Sequence, residues 1–183
     1  MHSYKLITER FQLLPPEIAD LPDITVHADN KKIADGLMSI PYPFTKADAS
    51  DWFFSHKNKV QRGNQITFTI KGHDFEFVGI IGLSIHQQYN HAEVGYWIAE
   101  KNWGQGAATE CLNAIIKFGF ERLDLHKIFG THFLSNRASS QVMRKCGMVK
   151  EGELKDHYRK DGEYHSIIQY RITQDEYEAI KSQ

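Results

Sequence analysis

The run HAEVGYWIA at His91 to Ala99, followed by WGQGAATE at Trp103 to Glu110, decides how the rest of this chain is read. Its first half alternates, with Val94, Tyr96 and Ile98 on one face, the period-two signature of a half-buried strand. Beyond the glycines, apolar residues recur from Gly106 to Phe120 as Ala107, Ala108, Cys111, Leu112, Ile115, Ile116 and Gly119, the stripe of a buried helix face. A glycine-rich turn between strand and helix lets backbone amides approach a ligand closely. The free amides and positive dipole of the helix start then favour an anion such as a pyrophosphate, with no basic side chain required. A tight turn without any ligand carries the same local pattern. Two other phosphate-binding motifs are disfavoured. The third glycine of a dinucleotide fingerprint would fall where Thr109 stands, after strands that read as antiparallel, and no Gly-Lys-Ser/Thr triplet occurs.

Working outward, Gln65 to Ile70 and Glu76 to His86 form a hairpin around Lys71-Gly72-His73-Asp74, and a second turn near Gln87 to Asn90 leads into the opening strand. Upstream, Thr8 to Leu14 reads as a strand stopped by Pro15-Pro16, Asp20 to Ser39 is weakly helical, and Pro41-Tyr42-Pro43 forces an extended loop. Thr45 and Asp48 suit a capping box for a helix over Lys46 to Gln61, with Trp52, Phe53 and Val60 as its apolar stripe. Downstream come a strand from Lys127 to Leu134 and a helix from Ala138 to Cys146, with Gly147 as left-handed cap. A hairpin follows, Met148 to Arg159 with Glu163 to Ile172 around Asp161-Gly162, and Thr173 with Glu176 caps a last helix.

The 183 residues suit one domain spanning 1–183, and a formal net charge of −1 gives no overall pull toward nucleic acid or anionic membrane. Two cysteines, Cys111 and Cys146, form neither a disulfide framework nor a zinc pattern, which points to reduced thiols and a cytoplasmic setting. Met1 to Leu14 lacks a signal-peptide apolar region, and no apolar run reaches the roughly 18 residues needed to span a bilayer.

With these blocks in order, the chain resembles the GNAT superfamily of N-acetyltransferases, specifically the RimJ/RimL-like branch that acetylates protein N-termini. The likeness begins at Thr8-Glu9-Arg10-Phe11-Gln12-Leu13, passes Pro41-Tyr42-Pro43 and is densest in Glu93 to Ile98 and Trp103 to Glu110. It continues in Asn136-Arg137-Ala138-Ser139 and Lys145-Cys146-Gly147-Met148. The resemblance implies an α/β domain with a mixed, mainly antiparallel sheet of six or seven strands, splayed at its centre, with helices on both faces. It implies acetyl-CoA as cosubstrate and a homodimer, while the scattered histidines, lacking a ligand motif, point to no metal. Gly104, Gln105, Gly106, Ala107, Ala108 and Thr109 would cradle the pyrophosphate, with Trp103 departing from the superfamily's Gln/Arg at the motif's first place. Main-chain groups of Tyr96, Trp97 and Ile98 would pair with the pantetheine arm, their side chains serving the core, and Asn136 would hydrogen-bond the coenzyme.

Acetyl transfer to an amine needs a neutral nucleophile, a stabilised oxyanion and a proton for the departing thiolate. Glu93 matches a strand position that carries a base in some relatives, and a solvated surface carboxylate is the alternative reading. Glu151, Asp156 and His157 on the late hairpin are lesser candidates. The tyrosine that many relatives place seven residues after the asparagine is here Met143, which donates no proton. Ser139 matches a serine whose hydroxyl reaches the coenzyme sulfur in the N-terminal acetyltransferase branch, and it equally suits a helix cap. His91-Ala92-Glu93 mimics the H-x-E of zinc deaminases, yet no P-C-x-x-C follows and no H-E-x-x-H exists. The helices before Pro41, the Pro41 to Phe44 loop and the hairpin around Asp156 to Tyr164 should form the acceptor pocket. A protein N-terminal α-amine is the expected acceptor. The rivals are a small amine such as a polyamine, amino acid or drug, and a catalytically weak acyl-CoA sensor.

Overall fold

Among the described residues eight strands form one sheet: β1 (Leu6–Ile7), β2 (Phe11–Leu14), β3 (Gln65–Gly72), β4 (Phe77–His86), β5 (His91–Ile98), β6 (Lys127–Phe133), β7 (Val149–Lys160) and β8 (Glu163–Thr173). The computed structural model describes residues 4–182, so Met1, His2 and Ser3 of the expected leaderless start lie outside it, as does Gln183. The strand order is β1-β2-β3-β4-β5-β6-β8-β7, antiparallel throughout except for β5 against β6. The eighth strand corrects the expected six or seven. Thr8 to Leu14 is not one strand, because the Thr8 amide donates to the Phe11 carbonyl at 2.9 Å and the Phe11 amide donates to Thr8 Oγ1 at 3.0 Å. That turn folds Leu6 back opposite Leu13.

Each expected helix forms where its caps specify. On one face lie α1 (Leu21–Ala28), α2 (Lys31–Gly36) and α3 (Lys46–Gln61), and on the other α4 (Ala107–Leu123), α5 (Arg137–Lys145) and α6 (Gln174–Lys181). Thr45 with Asp48 and Thr173 with Glu176 close reciprocal capping boxes, and Gly147 takes φ 79° behind α5. Alternation along β4 shows how two cores arise from one strand: Ile80 packs with Ile24, Phe44 and Phe77 under the first layer, and Ile81 packs with Phe68, Leu112 and Ile115 under the second. Asp161 and Gly162 both take positive φ, 51° and 87°, as a two-residue hairpin turn requires. Among the described residues no helix is long and apolar enough to cross a membrane.

The sheet opens at its centre. β5 pairs β4 along its whole length, from His91 opposite His86 to Ile98 opposite Gly79. Against β6 it pairs only through His91, Ala92 and Glu93. The Ala99 amide donates to the Val78 carbonyl at 2.9 Å, and main-chain groups alternate along an antiparallel pair. The Trp97 groups therefore face β4, whereas those of Tyr96 and Ile98 face the gap.

His56 on α3 is only 7% exposed, stacks on Trp52 at a ring separation of 5.6 Å, and has no hydrogen-bond partner on Nδ1. Burial, helped by Lys59, pushes its pKa down from 6.5 to about 4. The unfolded chain therefore takes up the proton first, and stability is lost as pH falls from about 6.5 toward 4, by at most about 3 kcal/mol. His56→Gln should flatten that part of the pH dependence of the urea midpoint. An unchanged slope between pH 6.5 and 4 would show that His56 is not its source.

Candidate functional site

Gly104 and Gly106 adopt φ of 73° and 78°, left-handed values that side chains other than glycine rarely take, so the backbone itself requires the two glycines of the Gly-Gln-Gly turn. Gly106 is the N-cap of α4, and the first bond of that helix runs from the Glu110 amide to the Gly106 carbonyl at 3.0 Å. The amides of Ala107, Ala108 and Thr109 are thus outside the helical ladder. They border a cavity of about 580 Å³ that also takes in Tyr96, Trp97, Ile98, Trp103, Gly104, Asn136 and Ser139. Gln105 does not line it, and its side chain donates to the Lys101 carbonyl at 3.1 Å. The Trp103 indole donates to the Ile98 carbonyl at 2.6 Å, closing off one of the groups facing the gap.

Arg10 braces this turn, a role that sequence reasoning missed. Its Nη1 donates to the Gln105 carbonyl at 2.8 Å and its Nε to Glu110 at 2.7 Å, while the Arg10 amide and Thr8 hydroxyl donate to the other Glu110 oxygen at 2.9 and 2.7 Å. Burial pushes the Glu110 carboxyl up, but these donors outweigh it and hold its pKa below the usual value. The one advance signal was Thr8-Glu9-Arg10 itself, which has no spacing relation to Glu110.

A second cavity, of about 730 Å³, is lined by Phe44, Trp52, Glu93, Thr131, His132 and Tyr158 among others. The Pro41 to Phe44 loop contributes Pro41 and Phe44, and the Tyr42–Pro43 peptide is cis. Glu93 accepts a hydrogen bond from the Thr131 hydroxyl at 2.9 Å. Burial, and then the Glu93 charge, raise the pKa of Tyr158. His132 is 3% exposed, and with its Nδ1 2.8 Å from the Phe133 carbonyl, Nδ1 carries the hydrogen and Nε2 keeps a lone pair. Burial lowers its pKa despite that carbonyl. The hairpin contributes Tyr158, whereas Glu151, Asp156 and His157 do not line the cavity. Glu151 instead accepts from Lys127 at 2.6 Å and from Gln169 at 2.5 Å on the outer face. Lys160 at the hairpin tip donates to the carbonyls of Leu37 at 2.6 Å, Ile40 at 3.2 Å and Ala34, clamping the loop after α2; burial lowers its pKa.

The cavities meet through the splay, sharing Gly36, Leu37, Tyr96, Trp97, Asn136 and Ser139. Asn136, not Ser139, caps α5: its Oδ1 accepts the Ser139 amide at 3.1 Å and its Nδ2 donates to the Gly36 carbonyl at 3.2 Å. Both ends of the Asn136 amide thus serve the fold, and the Ser139 hydroxyl is not committed to capping. Met143 is 2% exposed within the α4 and α5 core. Cys111 and Cys146 are buried thiols whose pKa values burial pushes up to about 12. Among the described residues no three His, Cys, Asp or Glu groups are placed to hold a metal ion.

A family model described as an acetyltransferase (GNAT) domain matches residues 10–149. The chain belongs to the GNAT acetyltransferase family. YoaA of Bacillus subtilis, named as an uncharacterized N-acetyltransferase, is 33% identical over 98 residues, 53% of this chain and 55% of that one. The ribosomal-protein-serine acetyltransferase of Escherichia coli is 33% identical over 96 residues, 52% of this chain and 53% of its own. The spermidine N(1)-acetyltransferase of Vibrio cholerae is 27% identical over 111 residues, 60% of this chain and 64% of its own. The matches to these relatives thus span between about half and two thirds of their lengths. In fold, the chain is similar to RimL, a ribosomal L7/L12 α-N-protein acetyltransferase solved with coenzyme A, at a TM-score of 0.85 and 21% identity over 93% of this chain and 98% of that one.

Arg10→Ala should weaken coenzyme A binding about tenfold by releasing the Gln105 carbonyl and leaving Glu110 unneutralised beside the turn. Isothermal titration checks this, and an unchanged dissociation constant would show that the turn holds its shape without the brace.

Proposed function

We propose that this protein transfers the acetyl group of acetyl-CoA to a protein N-terminal α-amine. The observation that carries the reading is the meeting of two cavities through the opened sheet, one at the glycine turn and helix start, the other at Glu93. In this reading the amides from Gly104 to Thr109 hold the pyrophosphate, and the main-chain groups of Tyr96 with the amide of Ile98, which face the gap, pair with the pantetheine arm. Trp97 contributes its ring to the wall, since its main chain pairs with β4. Asn136 keeps Ser139 and the Gly36 loop in place. Ser139 then has its hydroxyl available at the junction, and Glu93 receives the proton that the amine loses.

Acidity favours an α-amine as acceptor. With a pKa near 7.8, roughly a third of α-amines are neutral at pH 7.5, against about one in a thousand for an alkyl amine near 10.4. Glu93 is a single carboxylate that already accepts from Thr131. It suffices for an acceptor that is partly neutral on arrival. The names of the E. coli relative and of RimL support the same acceptor class, and that of the Vibrio relative supplies the rival, a polyamine.

Incubation with acetyl-CoA and either N-terminal peptides or polyamines, following free thiol, tests the reading. Peptides should raise thiol release well above polyamines, the reverse would reassign the acceptor, and bound coenzyme with no release from any amine would leave a sensor. Glu93→Gln should lower kcat about a hundredfold at neutral pH and less as pH rises, because a more fully neutral amine needs less help from a base. Ser139→Ala should reduce kcat with coenzyme affinity nearly intact; equal kcat would remove the hydroxyl from the chemistry.

A further inference from the structure

Among the described residues four buried side-chain polar atoms have no hydrogen-bond partner: His56 Nδ1, Tyr96 Oη, Asn102 Oδ1 and His132 Nε2. Leaving such a group unsatisfied costs about 1–3 kcal/mol, so each raises the question of what it faces. His56 is on α3, and Asn102 lines only the first cavity. His132 lines only the second. Tyr96 alone lines both, at their junction, beside Ser139.

Its position follows from the strand. Val94, Tyr96 and Ile98 share the face of β5 turned toward α4 and α5, where Val94 and Ile98 lie within the core of that layer. Tyr96 is the member of that face beyond the last β5–β6 pair, Glu93 with Phe129, whose side chain ends in a hydroxyl. The ring packs against the core, and the residue lines both cavities with its hydroxyl oxygen buried between them. Ser139 comes from the first turn of α5 and lies near enough to act on the phenol, though the two hydroxyls do not reach hydrogen-bond geometry.

We infer that the Tyr96 hydroxyl is the hydrogen-bond donor to the coenzyme sulfur, holding the thiolate as the carbon–sulfur bond breaks. This rests on the acetyl-transfer reading above. The amine lone pair forms the new carbon–nitrogen bond while the carbonyl π pair moves to oxygen. That pair returns, the carbon–sulfur bond breaks, and sulfur leaves with the bonding electrons to accept the Tyr96 hydrogen bond. The proton the amine loses goes to Glu93 and, through solvent, is the one that finally reaches sulfur. Tyr96 gives up no proton and needs no regeneration. Burial, partly opposed by Ser139, pushes its pKa up to about 12, so it stays protonated at working pH and acts as a donor, not an acid. In this inference an unpartnered donor on the residue common to both cavities gains its partner only once charge develops on the sulfur, which favours the transition state over the free enzyme.

Tyr96→Phe tests this, since it deletes one oxygen and keeps the ring, and near-UV circular dichroism confirms the packing. In the wild-type protein, alkylation of bound coenzyme A by iodoacetamide across pH should titrate with a thiol pKa below that of free coenzyme. In the variant the thiolate fraction at a given pH should fall about tenfold, and kcat with the preferred amine should drop between ten- and a hundredfold, with coenzyme affinity within twofold. Equal thiol titration in the two proteins overturns the inference about Tyr96, whatever the turnover. Failure of the wild type to bind coenzyme A overturns both this inference and the reading it rests on. Binding with a depressed thiol pKa but no acetylated amine overturns the transfer reading and leaves the donor assignment standing.

Discussion

The parting of β5 from β6 after Glu93 is the constraint on which the remaining structure depends. A continuous pairing would satisfy the main-chain groups of Tyr96 and Ile98 within the sheet and seal one face from the other. Because the strands diverge, the Tyr96 groups and the Ile98 amide are left toward the opening, the Ile98 carbonyl accepts from the Trp103 indole, and two cavities border the same residues there. The glycine turn sits at the open end of β5 and feeds α4, so the helix start and the opened strand border the same space. The divergence costs backbone hydrogen bonds in the middle of a sheet, a position where unpaired groups are expensive. An opening of this kind presents main-chain groups to which an extended ligand can add as a strand.

Much of this was legible in the sequence for local reasons. Capping boxes at Thr45 and Thr173, the left-handed Gly147 and the Asp161-Gly162 turn are contained within a few residues each, and their side chains form the bonds that define them. The helix from Ala107 and the strand from His91 follow from periodicity alone. The apolar pattern of Thr8 to Leu14 reads as one strand because it does not register a turn made by the Thr8 hydroxyl and the Phe11 backbone. By sequence Ser139 suits a helix start, and only geometry shows that Asn136 caps it and leaves the Ser139 hydroxyl uncommitted to that role.

What the sequence hid are the long-range attachments. Arg10 and Glu110 are a hundred residues apart, and Lys160 reaches carbonyls more than 120 residues upstream or close to it. Nothing in spacing or composition ties such groups together. Tyr96 illustrates a related blindness: alternation puts it on one face with Val94 and Ile98, and does not show that its hydroxyl lacks a partner. Family likeness likewise points to the glycine turn more firmly than to reacting groups, because the turn is a backbone shape and reacting groups are individual side chains.

The loop after α2 leaves a consequence for how two ligands would sense each other. Gly36 and Leu37 border both cavities; Asn136 ties Gly36 from one side, and Lys160 ties Leu37 from the other. A ligand that shifts this loop in either cavity moves a wall of its neighbour, with the hairpin tip carried along through the lysine. Any such displacement enters both binding equilibria as one shared free energy, so whichever ligand arrives first alters the affinity of the second by the same factor as in the opposite order. Ordered or random arrival would then differ in rate alone, not in the stability of the final ternary assembly.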